Sequence, residues 1–143
     1  MVTEHLSIRR SFGLTAPFVN LRAVNPENAC RQEICCLIDT GARHSIFDRF
    51  VCDRTDHNFE GQGVKVDSSS GLGNDILLTR LHTFELNLLE HNTDNVVWNS
   101  SPMEIQCASL PDGIPCILGY DDFLKFFRID IDYPAGVFTL HVK

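Results

Sequence analysis

The residues best suited to chemistry stand together in Cys36-Leu37-Ile38-Asp39-Thr40-Gly41-Ala42, where a carboxylate closes an apolar run and is followed at once by a hydroxyl and a glycine. A strand that ends on an acid and passes into a tight turn presents that acid at the edge of the core. The glycine leaves the backbone there open to close approach. An acid placed this way is a candidate for proton transfer to or from a reacting group. The bland alternative is an acid that only closes an Asx turn at a strand end. His44 lies near in sequence, but it has no partner nucleophile or cysteine pair and reads as a polar loop residue.

The elements that must position Asp39 are strands. Pro17 to Val24 alternates, with Val19, Leu21 and Ala23 on one face, and Asn25-Pro26-Glu27-Asn28 supplies turn chemistry. Glu33 to Ile38 is a near-continuous apolar run, which predicts a strand covered on both faces. Together these make a hairpin ending at Asp39. Ile46 and Phe47 return to the core, and 48–60 reads as polar and irregular, a helical turn and a loop. Val64 to Val66 and the segment from Ile76 read as two strands around a glycine-rich tip, Asp67 to Asp75, with nothing in it to pack. Further strands are expected over 83–88, from Val96, over 103–110, 128–133 and 137–142. A second strand-to-glycine junction falls at Cys116-Ile117-Leu118-Gly119, and Asp121 is placed to cap a short helix carrying Phe123, Leu124 and Phe127. Residues 1–16 read as an N-terminal arm or an edge strand ahead of a domain spanning 17–143. The fold class is all-β.

Composition narrows the function. With 43% hydrophobic and 22% charged residues the chain is globular, and 143 residues suit one domain. A net charge of −7 without a basic run argues against a nucleic-acid binder. No apolar stretch is long enough to cross a bilayer, and the first residues lack a signal peptide's apolar core. The six cysteines form no C-x-x-C and read as free thiols in a reducing cytoplasm, with Cys35, Cys36 and Cys116 as small buried hydrophobes. No histidine–cysteine spacing suggests zinc, and Asp130 and Asp132 read as a solvated strand face opposite Ile129 and Ile131 rather than metal ligands. Neither metal nor cofactor is expected.

Three features in this order, Leu37 to Ala42, the glycine-rich hairpin Asp67 to Asp75, and Ile117 to Asp121, resemble the retropepsin-like aspartic proteases, the single-lobe relatives of pepsin. The resemblance implies a closed or partly open β-barrel lobe with a flap hairpin and one short C-terminal helix. It implies an aspartic endopeptidase in which two carboxylates share a proton, since like charges so close do not both ionise easily. One chain has one Asp-Thr-Gly, so the second Asp39 would come from another copy in a homodimer. By the same resemblance Asp39, Thr40 and Gly41 are the catalytic group, with Thr40 bonding across the two-fold axis. Ala42, Arg43, Ser70, Gly71, Leu72 and Gly73 would line the peptide or protein substrate.

Two departures carry expectations of their own. Many viral members have an acid just after this loop and an arginine after the second glycine, and the two pair. Here Arg43 and Tyr120 occupy those places and Asp121 follows, so a pair of reversed polarity is expected, Arg43 with Asp121 or Asp122. Peptide preference should change with it. Residues 1–16 have no clear counterpart. The alternative function is the same fold used as a catalytically inactive binding or dimerisation module.

Overall fold

Alternation builds the first half of the barrel. The computed structural model describes every residue except Met1, Val2, Ile8, Phe12, Leu72 and Lys143, and of 3–7, 9, 10, 70, 71 and 73–75 it describes the backbone alone. Strand β4 (Phe18–Val24) buries Val19, Leu21 and Ala23 and pairs antiparallel with β5 (Arg31–Ile38). The turn between them needs one left-handed residue, and it falls on Ala29 (φ 61°) rather than on an asparagine. Asn25 is instead buried: its side-chain Oδ1 accepts from Glu27 N and its Nδ2 donates to the Thr55 carbonyl at 2.9 Å. Strand β5 differs from expectation. Ile34, Cys36 and Ile38 are buried, but Cys35 and Leu37 are only half-covered, so one face meets the core and the other is partly open.

After the Asp39 loop, β6 (Ile46–Asp48) leads into helix α1 (Arg49–Arg54). Two adjacent apolar residues, Val51 and Cys52, anchor α1, and Asp48 caps it by accepting from Phe50 N. Strands β7 (Val66–Gly71) and β8 (Gly73–Leu89) form the glycine-tipped hairpin. Its pairing runs out to Gly71 opposite Gly73, with a bulge beside Ser70, so the described residues of the expected tip, 67–71 and 73–75, lie on paired strands. The 17 residues of β8 are one continuous strand where sequence suggested two. It pairs with β9 (Val96–Asn99) and β10 (Met103–Ala108), and β11 (Cys116–Leu118) follows.

Closure comes from β8. It pairs with β4 on one side and β10 on the other, and the order β10-β6-β11-β5-β4-β8 joins into a closed six-stranded barrel. Inside, the Phe47 and Phe84 rings meet edge-on at 5.5 Å, a contact worth about 1 kcal/mol beyond the area it buries. The short helix expected near the C-terminus is one 3-10 turn, Leu124–Phe126; Phe123 precedes it and no side chain, Asp121 included, caps it. Around that turn Phe123 and Phe127 pack on Trp98. Strands β12 (Phe127–Asp132) and β13 (Val137–Val142) form a second sheet in which β1 (Thr3–Ser7) pairs with β13; Phe138 and Leu140 carry this sheet onto the barrel core. Strands β2 (Arg9–Ser11) and β3 (Leu14–Ala16) make a small hairpin of their own.

All six cysteines are free thiols, and Cys36 and Cys116 sit side by side on β5 and β11. Asp130 is exposed and pairs with Arg128 and His141. Among the described residues no cluster of His, Cys, Asp or Glu is arranged to hold a metal, and no helix is long and apolar enough to cross a membrane.

Candidate active site

Asp39 stands where two parallel strands end together. Strands β5 and β11 pair in register from Cys36 opposite Cys116 to Ile38 opposite Leu118, and the next N–H, that of Asp39, donates to the Leu118 carbonyl at 3.1 Å. The loop then folds back on its own acid. Gly41 N donates to Asp39 Oδ1 at 3.0 Å, and Ala42 N donates to the Asp39 carbonyl at 3.1 Å. These bonds hold the carboxylate at a half-buried position while Thr40 and Gly41 face solvent. A Cβ added at Gly41 would lie 3.4 Å from Asp39 Oδ1, in van der Waals contact with the acid. The Thr40 hydroxyl has no partner among the described residues. Asp39 therefore keeps Oδ2 available to a ligand, while Oδ1 is fixed by a backbone donor.

The second glycine braces this loop from behind. The segment after β11 runs alongside 42–43 in the same direction: Tyr120 N donates to the Ala42 carbonyl at 2.9 Å and Asp121 N to the Arg43 carbonyl at 2.8 Å. Gly119 passes so close to His44 that a Cβ would sit 2.5 Å from the His44 carbonyl carbon. That distance excludes every other residue type at 119 without a backbone shift.

Two aspartates then tie the segments together by side chains. Arg43 Nε donates to Asp121 Oδ2 at 2.7 Å, the reversed pair expected from the sequence. The hydrogen bond from Arg43 is the main cause holding the Asp121 carboxyl below its usual range, and the same bond raises Arg43. Asp122 turns inward instead. It accepts from Ser45 N at 3.1 and 2.9 Å and from the Ser45 hydroxyl, which in turn accepts from Gly119 N at 2.9 Å. Burial pushes the Asp122 carboxyl up, and the Ser45 bonds pull against it. Ser45 is fully buried. Neither its role nor the inward turn of Asp122 was visible in sequence, because the partners are 77 positions apart.

Of the expected substrate-facing residues, Ala42 and Arg43 share the Asp39 loop. Ser70, Gly71 and Gly73 lie at the end of the β7–β8 hairpin, where their backbone is paired, and Leu72 lies outside the described residues. Sequence reasoning did not single out Ile76 and Leu78. They are cross-strand partners of Ser70 and Ser68 on one face of the hairpin, each 72% exposed, with Val66 on the same face at 58%.

No family model and no curated protein sequence matches the chain. Among solved structures, a retropepsin-like aspartic protease from Rickettsia conorii superposes with a TM-score of 0.65 at 14% identity, covering 96% of this chain and 89% of that one. The barrel and hairpin described above are thus a retropepsin-like fold.

Proposed function

We propose that the chain is an aspartic endopeptidase, active as a homodimer in which the Asp39 loops of two copies meet. The observation that carries this reading is the geometry of Asp39: a half-buried carboxylate at the joint ends of β5 and β11, one oxygen fixed by Gly41 N–H, on a loop whose next two residues face solvent. One such acid cannot be both proton donor and acceptor to the same water. Two of them, facing each other, hold a single proton between them. The ionised carboxylate takes a proton from the attacking water, and the protonated one donates to the peptide carbonyl oxygen. Thr40 is free to bond to the other copy's loop. The β7–β8 hairpin, with Ser70, Gly71, Leu72 and Gly73 at its end, closes over an extended peptide and excludes water.

The fold supports the reading, since the solved structure it resembles is that of a retropepsin-like aspartic protease. The test is cleavage of a denatured protein substrate at pH 4–6 by the parent and by Asp39→Asn. Activity in the parent and its loss in a variant with the same melting curve is the expected result. Equal cleavage by both removes the assignment. Absence of cleavage by a parent shown to be dimeric by sedimentation favours the non-catalytic binding module.

A further inference from the structure

Resting on the reading above, we infer that Arg43 selects substrates carrying an acidic side chain near the bond to be cut. The argument starts from how little of the guanidinium is used. Arg43 donates through Nε alone, to Asp121 Oδ2 at 2.7 Å, and its side chain remains 79% exposed. An arginine carries five N–H donors, so the four on Nη1 and Nη2 have no protein acceptor among the described residues. They form a flat edge whose spacing matches the two oxygens of a carboxylate.

The edge is also held in place. An exposed arginine with a free side chain loses rotamer freedom when it binds, and that loss cancels much of the gain. Here the backbone of residue 43 is fixed by Asp121 N, and the side chain is fixed at Nε by the Asp121 carboxylate, so one residue sets both ends. Lys125 lies near enough to pull Asp121 down as well, and its ammonium stands 5.2 Å from the Phe126 ring. The Asp121 carboxylate takes up Nε and leaves the Nη edge to an incoming group. Asp122, the other acid of this segment, is turned into the Ser45 hydroxyl and backbone.

Position gives the edge its meaning. Arg43 follows Asp39 by four residues on the same loop, and Tyr120, 59% exposed, is bonded through its backbone to the neighbouring Ala42. A peptide lying across Asp39 passes this rim within a few residues of the scissile bond. The chain as a whole, at −7, repels acidic peptides. A preference for them must come from a local contact and not from the overall field.

The test uses matched peptides that differ only by Glu, Gln or Lys at successive positions around one cleavage site, with the full chain at about 0.15 M salt to screen the overall field. The expected result is a preference for Glu at one position of about tenfold in kcat/KM, the scale of one charge-assisted contact. Arg43→Gln brings that ratio to one, and Arg43→Glu turns it toward Lys at the same position. Asp121→Asn, which loosens Arg43 but leaves its charge, keeps a reduced preference for Glu. The same peptides are titrated onto Asp39→Asn by fluorescence anisotropy, reading the Glu/Gln ratio of Kd without turnover. Cleavage with no preference, or a preference that survives Arg43→Gln, overturns the inference and leaves the protease reading intact. Binding that depends on Arg43 without cleavage by the parent overturns the protease reading and with it the claim about a scissile bond, leaving Arg43 as an acid-selecting contact of a binding module. Neither cleavage nor binding overturns both.

Discussion

Gly119 and His44 are in contact through their backbones, and a Cβ at 119 would stand 2.5, 2.6 and 2.9 Å from three backbone atoms of His44. The crossing fixes the height of the Asp39 loop, because the residues on either side of it make the ladder from Tyr120 and Asp121 to Ala42 and Arg43. Gly119→Ala must push the two segments apart. Overpacking of this kind costs about 1–3 kcal/mol, and a backbone neighbour cannot rotate away. Urea unfolding should show the midpoint fall with an unchanged slope. An unaltered midpoint would show that the crossing carries no strain constraint.

Ser45 and Asp122 form the brace behind that crossing. Ser45→Ala leaves Gly119 N without its acceptor and takes one donor from a half-buried carboxylate, at a cost of about 1–3 kcal/mol. The two neighbouring aspartates should also respond to pH in opposite senses. Asp122 holds its proton more tightly folded than unfolded, so its contribution is fully present below the ordinary value of 3.8 and is lost as pH rises through the folded value. Asp121, lowered by Arg43, contributes above 3.8, and that contribution is lost as pH falls through its folded value. Melting temperature followed from pH 3 to 6 should therefore change slope in one direction for Asp122→Asn and in the other for Asp121→Asn. The Asp121 effect is the smaller, because that pair is exposed and salt screens it.

At the root of the hairpin, His57 and His82 meet ring to ring at 5.1 Å. His57 Nε2 donates to the Thr83 carbonyl at 2.9 Å, and His82 Nε2 to the Phe59 carbonyl at 3.2 Å, so each ring ties the 55–64 loop to β8. Burial is the main cause that lowers both below the ordinary 6.5. The unfolded chain then takes up protons first, and stability falls as pH drops below about 6.5. Replacing both by glutamine should flatten melting temperature between pH 7 and 5. A parent whose melting temperature is level over that range would contradict the lowered values.

Ile76 and Leu78 are exposed on the hairpin face that also carries Val66. A double change to serine removes apolar surface that the isolated chain does not bury, so the melting temperature should stay within a degree or two. If that face meets peptide, KM rises several-fold with kcat less affected. Equal kinetics would place the peptide elsewhere.

What could be read from the sequence was what depends on neighbours along the chain. Asp39 was visible because the apolar run before it and the glycine after it are consecutive, and the β4–β5 hairpin because turn residues separate two patterned strands. The pairing of Arg43 with Asp121 or Asp122 was expected through the resemblance, by reversing the polarity of that family's pair, and sequence did not choose between the two acids. The rest depends on contacts across the fold. Helix α1 was legible only as a helical turn somewhere in 48–60, because its buried residues, Val51 and Cys52, are adjacent and show no helical repeat that would set its bounds. The half-open face of β5 was missed because Cys35 and Leu37 are as apolar as their covered neighbours. Closure of the barrel rests on β8 pairing on both edges, which a 17-residue strand permits and no local pattern announces.

The central claim is that Asp39 is half of a site, and subunit mixing tests it most directly. Increasing amounts of Asp39→Asn are added to a fixed amount of parent under conditions that let subunits exchange, and peptide cleavage is followed. The account predicts that activity falls as the variant is added, because each mixed dimer has one carboxylate, and that it approaches zero in excess variant. Activity that stays constant for the fixed amount of parent would contradict it, since each chain would then carry a complete site.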